Sequence, residues 1–329
     1  MVYYMGMNFR TEQFMDITNN KNKIFTHPAF VVLAALLCCA LWGSATPFIK
    51  LGYEIVLQEK NVPSTILFAG LRFTLAGILT VVFYSIARRR FLYPKRENLT
   101  RVGLVSLFQT VIQYLLFYIG LSNTTGVKGT VCSGSSVFMA ILVSTLIFKQ
   151  EKLSVKKVLA CVLGFSGIIM VNLNGLTFDM NFTGDVFVLL SAASLGVSSV
   201  LIKRFSDRED PVVISGYQFI LGGAVMVIVG LAFGGCVNLT SLSGDGILLY
   251  LSFLSAVAYA LWGILLKHNP VSRITIFSCT TPLFGVILST LMLSEDSGVR
   301  PINLALSLLL ICLGIFILNY IPKKKKNNI

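Results

Sequence analysis

Charge is what this sequence has least of. Only 12% of its 329 residues are Asp, Glu, Lys or Arg, against 55% hydrophobic residues and a mean hydropathy of +0.80. A soluble domain of that length needs a charged coat over its surface, so a water-facing globule is excluded. Histidine is rarer still, with only His27 and His268. That removes the histidine clusters of a membrane desaturase and any Cys/His zinc pattern. The seven cysteines (Cys38, Cys39, Cys132, Cys161, Cys236, Cys279, Cys312) are odd in number, sit almost entirely in apolar runs and show no CxxC spacing. Neither a disulfide framework nor a metal site follows, and no cofactor is expected. Residues 1–27 lack the apolar core and cleavage site of a secretory signal, and are expected to form a cytoplasmic arm.

What the sequence has instead is hydrocarbon-compatible length. In hydrocarbon only helices and closed barrels satisfy their own backbone hydrogen bonds. A barrel strand alternates apolar and polar residues, whereas these runs are continuously apolar over about 20 residues, the length of a spanning helix. Ten spans are expected. The first five are Pro28 to Lys50, Ser64 to Ala87, Val102 to Leu121, Val127 to Phe148 and Val155 to Leu173. The second five are Asp185 to Ile202, Pro211 to Phe233, Ile247 to Leu266, Ile274 to Leu293 and Leu304 to Ile321. The fold class is therefore an all-α polytopic membrane protein.

The net charge of +13 points to nucleic acid only if its distribution is ignored. Of the 27 basic residues, 22 fall in alternate loops and in the two terminal segments. That is the positive-inside pattern, and it predicts a cell-membrane protein with both termini cytoplasmic and no nucleic-acid partner. No carboxylate lies in the middle of a span: Asp185, Asp245, Glu151 and Glu295 stand at span ends. A buried-carboxylate proton relay is thus absent from the pattern, and facilitated transport or exchange stands beside proton coupling.

Two motifs recur in order. Gly167-Ile168-Ile169-Met170-Val171-Asn172 matches Gly314-Ile315-Phe316-Ile317-Leu318-Asn319, and Ser144-Thr145-Leu146 before Glu151 matches Ser289-Thr290-Leu291 before Glu295. An odd number of spans per half makes this an inverted-topology repeat. The expected organisation is one five-helix repeat over 28–173, a linker over 174–184, a second repeat over 185–321 and a basic tail over 322–329.

These residues resemble the EamA-like branch of the drug/metabolite transporter superfamily. The resemblance rests on Ala40-Leu41-Trp42-Gly43-Ser44 with Phe48 to Lys50, on Leu71-Arg72-Phe73, and on Tyr118 to Leu121. It continues in Ser136-Val137-Phe138 with Glu151, and in Thr281-Pro282-Leu283-Phe284 with Glu295. It implies a ten-helix carrier of a small metabolite, an exporter of an amino acid or related compound. The sequence departs from the pattern where Ser136 stands in place of a span-four proline while Pro282 keeps its counterpart, so the halves are expected to bend unequally.

Polar residues deep in spans mark helix interfaces or a wet cavity. In span three, Gln109, Gln113 and Phe117 repeat at i+4, as do Thr110, Tyr114 and Tyr118, and this face either lines a cavity or bonds to neighbouring helices. Ser133 and Ser136 in span four, and Thr280 and Thr281 in span nine, occupy repeat-related places that point to a midplane site. Thr46, Ser194 and Tyr259 complete the candidates, although the serine-rich run of span six and the glycines of span seven (Gly216, Gly222, Gly223, Gly230) read equally as close packing. Trp42 and Trp262 are either interface anchors or cavity aromatics. Pro47, Arg72 and Pro282 are assigned structural or gating roles, with Arg72 expected to pair with Glu54 or a helix end, or else to hold a substrate carboxylate. Lys128 is expected to be solvated. The substrate-binding set is thus Trp42, Thr46, Gln109, Gln113, Tyr114, Phe117, Tyr118, Ser133, Ser136, Ser194, Tyr259, Trp262, Thr280 and Thr281. A monomer or homodimer carrying a small molecule is the leading reading; an intramembrane enzyme, or a scaffold or sensor, is the alternative.

Overall fold

The computed structural model describes residues 24–59, 61–173, 181–239, 241–293 and 300–319. Most of the expected N-terminal arm, most of the linker, Glu295 and the basic tail lie outside the described residues. Within them the chain forms ten helical segments: α1 (Pro28–Val56), α2 (Val62–Arg88), α3 (Arg96–Leu121), α4 (Lys128–Ile147), α5 (Val155–Val171), α6 (Phe182–Phe205), α7 (Pro211–Ala232), α8 (Leu242–His268), α9 (Val271–Met292) and α10 (Pro301–Asn319). The shortest, α5, has 17 residues and reaches about 25 Å at 1.5 Å per residue, most of a hydrocarbon core. An isolated antiparallel bridge joins Leu57 to Val237.

Capping side chains move several boundaries away from the hydropathy pattern. Helix α8 starts at Leu242 rather than Ile247 because the Ser241 hydroxyl accepts from Gly244 N at 3.1 Å, with Asp245 in the first turn beside the positive helix end. Asn61 and Asn181 cap α2 and α6 in the same way, through Ser64 N and Gly184 N. Helix α1 continues through Lys50 to Val56, with Pro47 buried inside it.

The packing obeys a two-fold relation between residues i of the first half and their counterparts in the second. Helix α1 packs on α8 and α9, and its counterpart α6 packs on α3 and α4. Helices α2 and α7 pack on each other, as do α5 and α10. Close contacts repeat in detail. A methyl group at Gly43 of α1 would lie 2.5 Å from Phe284 Cβ and 2.9 Å from Gly285 N of α9. One at Gly196 of α6 would lie 2.7 Å from Ala140 N of α4, with Met139 at 2.8 Å. Between α2 and α7 the contact is reciprocal: Gly70 faces Gly223 O at 3.0 Å and Gly223 faces Gly70 O at 2.8 Å. The glycines of span seven are therefore packing residues, as one reading of the sequence had it.

Polar ties join the halves at both ends of the bundle. We call the end where α1 begins proximal and the other distal. Proximally, the Glu151 carboxylate after α4 accepts from Ser272 N (3.2 Å) and the Ser272 hydroxyl at the start of α9, and pairs with Lys157 at 2.7 Å. Tyr84 of α2 donates to Asp210 Oδ2 at 2.7 Å, and Lys95 N and Asn98 Nδ2 donate to Glu209 at 2.9 and 3.0 Å. Distally, Lys128 Nζ lies 3.3 Å from Asp185 Oδ2, while the Thr124 hydroxyl donates to Asp185 Oδ1 at 2.5 Å. Lys128 is 8% exposed, which corrects the expectation of a solvated lysine: the acid that opens α6 draws it inward.

Burial alone would raise the Glu151 carboxyl, but the hydrogen bonds from Lys157 and Ser272 outweigh it and hold the group below its ordinary value of 4.5. A depressed carboxylate contributes stability that is complete above the ordinary value and is lost as pH falls through the folded one. Thermal unfolding in detergent at stepped pH should therefore show wild type losing stability relative to Glu151→Gln only below about pH 4.5; a constant difference across that range would contradict the assignment. Overpacking the α2–α7 crossing with Gly223→Leu should cost on the order of 1–3 kcal/mol, read as a lower melting temperature and lower membrane abundance. Gly103→Ala on α3, where a methyl meets nothing within 4 Å, should leave both unchanged or slightly raised.

Candidate functional site

Halfway along α1, Trp42 meets α8 edge-on: its ring centroid lies 5.1 Å from Tyr259 and 4.9 Å from Trp262, both at 64°. Ser255, Tyr259 and Trp262 recur at i, i+4 and i+7, so one face of α8 carries all three. The Tyr259 hydroxyl lies 2.9 Å from that of Tyr114 on α3. Tyr114 packs on Phe73 of α2 at 4.5 Å, and Phe73 stacks on Phe219 of α7 at 5.1 Å and 6°. Tyr118 and Phe117 extend this group along α3. Five helices from both halves thus converge on one aromatic cluster, in the offset and edge geometries that ring quadrupoles favour. Trp42 Nε1 is buried there with no hydrogen-bond partner. Both tryptophans are interior residues rather than interface anchors.

Next to the cluster lies Arg72, 4% exposed. Its Nε and Nη2 donate to Ser255 Oγ at 3.2 and 2.9 Å, and its guanidinium carbon stands 4.9 Å from the Phe73 ring centre. Ser252 ties the same turn by donating to Arg72 O at 3.1 Å. The expected pairing with Glu54 does not form, because Glu54 points outward from the end of α1 and is exposed.

Helix α3 widens to a π-helical stretch over Leu107–Ile112, a feature frequent at functional sites. Gln109 and Gln113 are buried, and the side-chain oxygen of each lacks a partner. Thr110 turns to α7 instead, donating to Gln218 Oε1 at 2.7 Å and leaving Gln218 Nε2 unpartnered.

Helices α4 and α9 both break, at positions 145 residues apart. In α4 the break is the single residue Ser135, whose hydroxyl donates to Cys132 O at 2.6 Å. In α9 it is a 3-10 turn over Ile276–Thr280, where the Thr280 hydroxyl donates to Phe277 O at 2.7 Å, just ahead of Pro282. The two forms differ, as the unmatched proline suggests, yet a hydroxyl supports each. Thr281 Oγ1 is buried and unpartnered, and Thr46 faces Gly285 across the α1–α9 contact.

The sequence candidates thus sort by what their polar atoms do. Trp42, Gln109, Gln113 and Thr281 keep an atom without a partner; Tyr114, Phe117, Tyr118, Tyr259 and Trp262 form the aromatic group. Ser194 is spent on packing, its hydroxyl donating to Phe108 O at 2.6 Å, and Thr280 on its own helix. Ser133 and Ser136 flank the α4 break, half-buried and buried. Sequence reasoning did not single out Ser255, Gln218, or the Ser44–Tyr250 pair at 2.9 Å. A glutamine amid the glycines of span seven was the one signal that pointed to any of them. Among the described residues no group of His, Cys, Asp and Glu assembles into a metal cage.

Comparison with known proteins follows the same lines. An uncharacterized transporter of Synechocystis is 29% identical over 293 residues, covering 81% of this chain and 87% of its own. A WAT1-related chloroplastic protein of Arabidopsis thaliana is 25% identical over 286 residues, covering 82% and 67%. A crystal structure at 18% identity matches 88% of this chain and 96% of its own with a TM-score of 0.73, which shows a shared fold. The model of the EamA-like transporter family matches twice, over residues 29–173 and 182–320. With both halves matched and the ten-helix inverted repeat in place, the chain belongs to the EamA-like transporter family, within the drug/metabolite transporter superfamily that its motifs resemble.

Proposed function

We propose that the chain is an alternating-access carrier that moves one small polar metabolite, an amino acid or related compound, out of the cell across the cytoplasmic membrane. One observation carries the reading: helices of both halves bury polar atoms that lack a hydrogen-bond partner, Trp42 Nε1 on α1, Gln109 Oε1 and Gln113 Oε1 on α3, and Gln218 Nε2 on α7. Leaving such an atom unsatisfied costs about 1–3 kcal/mol. A solute offering matching groups recovers that free energy, which is the differential binding an alternating cycle needs. The inverted repeat supplies the two related conformations, with rocking of helix groups about a midplane site. Repeats over 28–173 and 185–321 are the two bodies in this scheme.

The loop charges support cytoplasmic termini, which makes the proximal end the cytoplasmic one. The ties through Glu151, Asp210 and Glu209 then hold that face shut. Export as the direction, and an amino acid as the solute class, rest on the family resemblance.

Reconstitution into liposomes tests the proposal. Preloaded vesicles should show saturable counterflow of at least one labelled amino acid; uptake no faster than in empty liposomes across the twenty standard amino acids and their simple derivatives would refute it. Trp42→Ala and Gln113→Ala should each lower the counterflow rate by about tenfold, corresponding to about 1.4 kcal/mol, with membrane abundance unchanged. Wild-type rates in both would remove these residues from the site.

A further inference from the structure

Arg72 is the only charged residue that the sequence places well inside a span. It stands ten residues from the start of α2, about 15 Å from that end at 1.5 Å per residue. A guanidinium does not lose its proton in a protein, so burial cannot neutralise it. A buried cation is costly unless an anion accompanies it. Here the protein offers one hydroxyl and one ring face. Ser255 Oγ accepts from two of the five N–H groups while donating its own proton to Leu251 O at 2.8 Å, and Phe73 covers one side. Among the described residues no carboxylate lies within ion-pair distance of it.

We propose that Arg72 is the anion anchor of the solute site, and that the solutes recognised carry a carboxylate with a small apolar or aromatic remainder. The setting fits that chemistry on three counts. Tyr114 packs on the Phe73 ring that covers Arg72, and its hydroxyl and that of Tyr259, 2.9 Å apart, share one hydrogen bond and leave one proton to donate to a carboxylate. The ring that covers Arg72 is the same Phe73 that packs on Tyr114, so the cation abuts the aromatic cluster in which the buried Trp42 Nε1 lacks a partner. Finally, one guanidinium matches a solute with a single carboxylate; a phosphate dianion would leave excess negative charge in hydrocarbon. A carboxylate takes two parallel N–H bonds from a guanidinium, a geometry that a lysine does not offer.

This inference deepens the carrier reading and takes its physiological meaning from it, so binding and transport are measured separately. Melting temperatures of the detergent-purified protein are compared in L-phenylalanine, sodium phenylacetate, phenylacetamide and phenyl phosphate, at ionic strength matched with sodium chloride. The two carboxylates should raise the wild-type melting temperature by 2 °C or more at saturation, and phenylacetamide and phenyl phosphate should not. Arg72→Gln should abolish the shift. Ser255→Asp, which places a permanent carboxylate beside the guanidinium, should melt higher than wild type without ligand and should also lose the response. The proposal is overturned if the amide or the phosphate shifts wild type as much as the acids do, if no acid shifts it, or if the shift survives in Arg72→Gln. Counterflow of the same compounds separates the two claims. Carboxylate binding without counterflow removes the carrier and keeps the anchor, whereas equal counterflow of acids and amides keeps the carrier and removes the anchor.

Discussion

Lipid tails are as apolar as leucine, so in a bilayer side chains gain nothing by turning inward and helices must hold one another by close contact. That constraint organises this protein. Several principal crossings are made where a glycine lets one backbone reach another: Gly70 and Gly223 between α2 and α7, Gly43 at α9, Gly196 at α4. The remaining surfaces can then be left to lipid, as the exposed leucines and Phe316 of α10 are. Because the crossings occur in symmetry-related pairs, one packing solution serves both halves in opposite orientation.

The aromatic cluster lies where elements of both halves meet. Helices α1 and α6 each bring two neighbours from the other half, and the two trios meet at the aromatic cluster around Trp42, Tyr114 and Tyr259. Many buried hydroxyls elsewhere are satisfied by the backbone. The hydroxyls of Ser194, Thr145, Ser206 and Thr280, for example, all donate to backbone carbonyls. At the centre this economy lapses, and Trp42, Gln109, Gln113 and Thr281 keep atoms unmatched. Natural proteins tolerate such lapses chiefly where function requires them.

Much of this was legible in the chain. Continuous apolar runs gave the helices, loop lysines and arginines gave their alternation, and the paired Gly-Ile-Ile and Ser-Thr-Leu segments gave the repeat. Trp42 and Trp262 attracted attention by rarity, and they lie 4.9 Å apart across 220 residues of sequence. What stayed hidden depends on a partner. A serine in an apolar helix reads alike whether it bonds only its own turn, as Ser206 does, or also receives an arginine, as Ser255 does. The π-helical widening of α3 leaves no mark in hydropathy, yet it lets Thr110 turn to Gln218 on α7. Lys128 looked solvated because hydropathy cannot see that Asp185, 57 residues away, stands opposite it.

The reciprocity of the α2–α7 crossing carries a genetic consequence. Gly70 and Gly223 are 153 positions apart, but each guards the same point, since either glycine faces the carbonyl of the other. Once a side chain at one has forced the helices apart, a side chain at the other finds the room already made. The two loci are thus epistatic: the double replacement is milder than the product of the single ones, and compensation for either is to be sought in the opposite half of the polypeptide.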